Sequence, residues 1–168
     1  PAPAPKAPAS TRVPSGSSMS RVLKFYSKSK EGKALSNFAE IPVVMKTLFF
    51  LTGEHAYHGL KYYVASTVTK DPARERALLN YAEKFQGKNT EFKTALDAKR
   101  AGDKKGMALT SDELKRWYDS ESIKVQRKIC KAKLNSSAEV RKVLNDYKGY
   151  YLLHQDNRAR QDTIWGGK

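Results

Sequence analysis

A single cysteine, Cys130, stands in the 168 residues. No intrachain disulfide can form, so the chain is not a disulfide scaffold and needs no oxidising compartment. Long apolar runs are also missing. The longest, Ile41 to Leu51, is interrupted by Pro42, Lys46 and Thr47, whereas a bilayer span needs about 20 consecutive apolar residues. A membrane partner is not expected, and the amino terminus has no apolar signal core, so the expected setting is intracellular, in the cytoplasm or in a virion or other large assembly. Neither G-x-x-x-x-G-K-[ST] nor G-x-G-x-x-G occurs, which excludes the two common glycine-rich nucleotide cradles. Acidic residues are scarce, 17 against 32 Lys and Arg, giving a net charge of +15 and a pI near 9.9. That balance points to polyanionic partners. What remains is ordinary: 39% apolar and 29% charged residues describe a globular chain long enough for one domain with a core.

Composition divides the chain. Residues 1–20 hold five of the seven prolines with alanine, serine and glycine, an extended basic Pro/Ala-rich arm without a buried face. Residues 1–30 carry six basic side chains and no acid; the arm is either a solvated leader or a segment that binds nucleic acid or an assembly partner. The domain is expected over 21–168. Its pattern reads as α+β, predominantly helical with a small β-sheet or hairpin. Val22 to Ser27 reads as a strand, and the apolar runs on either side of Lys46-Thr47 read as a β-hairpin. Thr52 caps a helix to about Ser66, and Asp71-Pro72 opens another with Leu78, Ala82 and Phe85 inward before Gly87. A helix is expected over Glu91 to Arg100 with Phe92, Ala95 and Leu96 inward. Thr110-Ser-Asp-Glu113 is a capping box that opens the longest helix, to about Leu134, with Leu114, Tyr118, Val125, Ile129 and Ala132 on one face. Ser136-Ser-Ala-Glu139 is a second box, followed by the stripe Val140, Val143, Leu144 and Tyr147. The last residues, from Tyr150, read as a pocket-lining loop.

Few residues here carry chemistry. Glu54-His55-x-x-His58 spaces two imidazoles three apart, not the four of the usual zinc helix, and with one cysteine and one further histidine no metal site and no cofactor is expected. Cys130 falls in an apolar register and reads as a core cysteine. Spacings of four and seven place His58 and Lys61 beside Glu54 on one helix face, with Tyr57 adjacent. The carboxylate there either stabilises the helix dipole or serves as a general acid/base, with Lys61 binding phosphate or keeping Glu54 ionised. The helix from Lys115 to Lys133 carries seven Lys and Arg against Asp119 and Glu121, a face that is solvated or attracts phosphates.

Taken together, Phe25-Tyr26-Ser27, Leu35-Ser36-Asn37-Phe38, Gly53-Glu54-His55-x-Tyr57, Lys61, Lys115-Arg116-Trp117 and Ile164-Trp165-Gly166-Gly167 resemble the NADAR, or YbiA-like, family of N-glycosidases. The resemblance spans nearly all of residues 23–167 in order. It implies hydrolysis of a C–N glycosidic bond in a nucleotide-like substrate, ADP-ribosyl-guanine or a ribosylamino-pyrimidine phosphate, with Glu54 catalytic. It also implies that Lys61, Trp117, Trp165 and Gly166 line the site and that Asn37 lies near ribose or phosphate, with Ser36, Phe38, His55, Tyr57, His58 and Asp162 in support. The chain differs from the family pattern in three places. The W-G-D-G aspartate is absent from Trp165-Gly166-Gly167-Lys168, the helix motif's glutamine is His58, and the family's terminal helix is lacking. The alternative reading is a catalytically impaired scaffold that binds nucleic acid, through the arm and the 115–133 helix, or serves as a structural assembly subunit.

Overall fold

The computed structural model describes residues 21–103 and 105–155; the Pro/Ala-rich arm and the Ile164-Trp165-Gly166-Gly167 motif lie outside them. The elements are β1 (Val22–Phe25), a 3-10 turn (Lys33–Leu35), β2 (Val43–Met45), β3 (Leu48–Phe50), α1 (Gly53–Ser66), α2 (Pro72–Glu83) and α3 (Ala95–Gly102). They continue with α4 (Ser111–Arg116), a π-helical turn (Trp117–Glu121), α5 (Ser122–Ser136), α6 (Ala138–Asp146) and β4 (Tyr151–His154). The fold is α+β and mostly helical, as expected. Its strands form two separate two-stranded sheets, β1 parallel to β4 and β2 antiparallel to β3.

Local signals account for most boundaries. The hairpin turns at Lys46, whose φ of 54° is left-handed, and pairs Val43 with Phe50 and Met45 with Leu48. Thr52 caps α1, Asp71 caps α2 with proline in its first turn, and Thr94 and Thr110 each form reciprocal capping boxes, with Asp97 and Glu113. The core gathers Val43, Phe50, Tyr62, Leu78, Phe85, Trp117 and Ile129, all nearly inaccessible. α1 runs through its centre, packed by α2, α3 and α5. A second, smaller cluster joins Ala34, Ile41 and Val140, with Val143 and Leu144 packed against it.

Five expectations are corrected. α3 starts at Ala95, not Glu91, because Thr94 caps it; that register buries Ala95 and Ala98 and exposes Leu96. The long helix contains a π turn in which the Ser122 amide donates to the Trp117 carbonyl, five residues back rather than four. The extra residue turns Tyr118 out to 56% exposure and puts Trp117, Ser122, Val125, Ile129 and Lys133 inside. α6 is capped by Ser137, which bonds the Val140 amide. The stretch read as a terminal loop contains β4, paired with a strand more than a hundred residues earlier. Cys130 is exposed and accepts from Gln126 Nε2 at 3.5 Å, so it is not a core cysteine.

Candidate functional site

The residues that the sequence singled out converge on the first two turns of α1. Thr52, in an extended conformation, accepts from the His55 amide and hydrogen-bonds His55 Nδ1 at 2.8 Å; His55 Nε2 lies 2.7 Å from the Phe92 carbonyl. The carbonyl can only accept, so the Nε2 proton is donated to it and Nδ1 accepts from the Thr52 hydroxyl. Burial lowers the pKa of His55, against the opposing Phe92 bond and Glu54 charge. This histidine is fully buried and ties the start of α1 to the segment before α3.

One residue later the backbone is fixed by Asn37. Its carbonyl accepts the Glu54 amide at 3.0 Å, satisfying one of the donors left open at a helix start. A Cβ on Gly53 would lie 2.5 Å from Asn37 Oδ1 and 2.8 Å from Asn37 Cα, so only glycine allows this approach. Asn37 is held in turn. Its amide exchanges two hydrogen bonds with that of Gln126 on α5, at 2.8 and 3.0 Å. Next to it, the Ser36 carbonyl accepts from Lys133 Nζ at 2.7 Å, and Ser36 Oγ accepts the Phe38 amide at 3.2 Å. Lys133 is 2% exposed, and burial pushes its ammonium down to about 8.

From this frame the Glu54 side chain reaches one turn along α1, where Oε2 meets His58 Nε2 at 3.2 Å. The Glu54 side chain is 12% exposed and that of His58 6%. His58 Nδ1 is buried without a hydrogen-bond partner among the described residues; it faces Gly102, where a Cβ would sit 1.9 Å away. The imidazole therefore donates from Nε2 to the carboxylate. Tyr57 lies between His58 and Trp117, edge-on to both, at ring-centroid distances of 5.4 and 4.9 Å. Lys61 completes the i, i+4, i+7 row, but its ammonium donates to the Gly102 carbonyl, closing the C-terminus of α3. Burial lowers the Lys61 pKa, opposed by the charges of Asp103 and Glu54.

The structure brings part of the set together. Ser36, Asn37, Glu54, His55, Tyr57, His58 and Lys61 form one contiguous group. Trp117 adjoins it from the core side, 1% exposed, and presents no free face for a base. Phe38 is half-buried under the Lys99 ammonium, 5.3 Å from its ring centre, and borders a cleft of about 380 Å³ that Ile41 and Glu139 also line. A second cleft of about 330 Å³ lies between Asn80 and Glu91; Glu54 lines neither. Trp165, Gly166 and Asp162 lie outside the described residues. Among those described, no cluster of three or more His, Cys, Asp or Glu could hold a metal ion.

Gln126, Lys133 and Gly102 were not foreseen. Gln126 and Lys133 act on residues 89 and 97 positions away, beyond any local pattern. Lys133 did carry a signal, since it continues Val125 and Ile129 at intervals of four. Gly102 falls beyond the helix expected to end at Arg100, and it is the last residue of α3.

No family model and no curated protein matches the chain. Among solved structures it is similar to the NMR structure of the E. coli protein YbiA, with a TM-score of 0.55 and 22% identity over 87% of this chain and 71% of that one. The fold is YbiA-like. At that identity the likeness concerns architecture alone. The chemistry rests on the residues themselves. No helix among the described residues is long and apolar enough to cross a membrane.

Proposed function

We propose that this YbiA-like chain hydrolyses a C–N glycosidic bond in a nucleotide-like substrate, of the ADP-ribosyl-guanine or ribosylamino-pyrimidine phosphate class, with Glu54 as general acid/base. The observation that carries the reading is the Glu54–His58 pair: a nearly buried carboxylate at the positive end of α1, oriented through Oε2 by an imidazole. Oε1 has no hydrogen-bond partner among the described residues, so it is the atom that receives the proton of the attacking water. Departure of the base leaves oxocarbenium character on the ribose, which the carboxylate stabilises while it activates water on that carbon. His58 is a positioning residue, since it acts through Glu54.

Replacing Glu54 with glutamine keeps shape and removes the base. Incubation with ADP-ribosylated DNA, NAD and ribosylamino-pyrimidine phosphates, followed by mass spectrometry of released bases, should show turnover by the parent chain and a fall of at least about 100-fold for Glu54→Gln. Equal turnover by the two proteins would refute the assignment. A second reading, the catalytically impaired scaffold, is favoured by the fate of Lys61 and Trp117: one is bonded to Gly102 and the other packed in the core. Absence of any released base from the folded parent chain would select it.

A further inference from the structure

The basic helix looks different once its partners are counted. Of the seven cations from Lys115 to Lys133, Lys115 pairs with Asp119, Arg116 with Glu121, and Lys133 is buried against Ser36. Lys124, Arg127, Lys128 and Lys131 remain on the solvent face of α5. They stand at i, i+3, i+4 and i+7, and among the described residues only Lys124 has an acidic partner, Glu121. No Asp or Glu occurs from residue 122 to residue 138. Like charges at these spacings repel and weaken a helix. A merely soluble face would intersperse acids, as α6 does with Glu139 and Asp146 beside Arg141 and Lys142. Nor does the helix dipole explain the stripe. Cations are favoured in a last turn, whereas Lys124 and Arg127 lie mid-way along the continuous helical stretch from Ser111 to Ser136.

We propose that the solvent face of α5 binds the phosphodiester backbone of nucleic acid through Lys124, Arg127, Lys128 and Lys131. The stripe from Lys124 to Lys131 extends about 10 Å at 1.5 Å per residue, about three phosphate steps of one strand at 3.4 Å along a duplex axis. The four cations suit phosphate oxygens, and the exposed neighbours Ile123 and Leu134 are aliphatic and offer bases no hydrogen bonds. Binding is therefore expected to be independent of sequence and governed by salt. This surface does not depend on the chemistry of Glu54.

The test is fluorescence anisotropy of labelled 20-mer single strands and duplexes against the full chain at several salt concentrations. The variant is Arg127→Gln/Lys128→Gln/Lys131→Gln, and the control is Lys70→Gln/Lys88→Gln/Lys105→Gln, equal in charge change and exposed elsewhere. The stripe variant should lower the magnitude of the slope of log K against log salt by about 2 for single strands or 3 for duplex, with the control changing it by less than 1. Circular dichroism should show both variants folded. Equal losses in the two variants, or no binding by the parent chain, would overturn the proposal. So would displacement of the nucleic acid by poly-glutamate at matched charge concentration, which would mark an acidic protein as the partner.

Discussion

Replacing Gly102 with alanine puts one methyl group where the fold leaves no room. An ideal Cβ there lies 1.9 Å from Nδ1, 2.1 Å from Cγ and 2.6 Å from Cβ of His58, against the roughly 3.5–4.0 Å at which such contacts become favourable. The imidazole is buried and held at Nε2 by Glu54, so it cannot swing aside without losing that bond. Backbone strain plays no part, since the described glycines with positive φ are Gly87 and Gly149. Overpacking of this kind costs about 1–3 kcal/mol. Alanine regains up to about 1 kcal/mol of helix propensity, less at a terminal residue, leaving a net loss of about 1–2 kcal/mol. In a His58→Gly background, which removes Cβ as well as the ring, the obstruction is gone, and the same substitution should be neutral or stabilise by about 0.5 kcal/mol. The two positions should therefore couple by about 2 kcal/mol, within the range seen for contacting residues. Urea denaturation of the four proteins measures this directly, with thermal midpoints shifting roughly 2–4 °C per kcal/mol. A Gly102→Ala cost that is the same in both backgrounds would refute the packing of His58 on Gly102, and with it the orientation of the imidazole toward Glu54.

Two further perturbations test the frame. Lys133 has a folded pKa of about 8, below its ordinary 10.5, so between these values the unfolded chain binds more protons. Stability should therefore rise with pH through this window, by about 2 kcal/mol between pH 8 and 10. Urea titrations at the two pH values should show this increment in the parent chain and lose it in Lys133→Met; an increment that persists would place the lysine in water. Arg74 pairs with the buried Glu113 at 2.8 Å. Burial alone would raise the pKa of Glu113, but the bonds from Arg74 and Thr110 bring it below its ordinary value. Arg74→Met leaves that carboxylate without its cation and should cost about 3 kcal/mol at neutral pH; a loss below about 1 kcal/mol would show the pair to be solvated.

What the sequence disclosed follows the range of the forces involved. Thr52, Asp71, Thr94 and Thr110 act within four residues of themselves, and the caps at Thr52, Asp71 and Thr110 were legible. The row Glu54, His58, Lys61 is a property of helix spacing and was legible for the same reason. The π turn was not, because the apolar pattern alone does not say where a helix gains a residue; the error placed Tyr118 inside and missed Lys133. Partners far apart in sequence were equally hidden. β4 needs β1, and Asn37 needs Gln126, so Tyr151–His154 read as a loop and Asn37 seemed free to meet a ligand. The family resemblance supplied the architecture that these long-range contacts build, and the YbiA-like fold agrees with it.

The net charge of +15 was at first a single number, and the structure separates it by task. Lys61 and Lys133 are both buried, and each donates to a main-chain carbonyl, of Gly102 and of Ser36. Those carbonyls belong to the two segments that hold the site: Gly102 backs the His58 ring, and Ser36 precedes the residue that accepts the Glu54 amide. The two lysines therefore serve the site as hydrogen-bond donors that fix its walls, at a desolvation cost visible in their lowered pKa values. At 6% and 2% exposure, neither ammonium is open to a phosphate arriving from solvent. Attraction of a phosphorylated ligand must then arise from other cations. On α5 the division is sharp: Gln126 and Lys133 turn inward to the loop that positions Glu54, whereas Arg127, Lys128 and Lys131 turn outward without acidic partners among the described residues. One helix thus braces the candidate site with one face and offers a polyanion surface with the other, so neutralising the outer face should alter nucleic-acid binding while leaving the Glu54–His58 geometry intact.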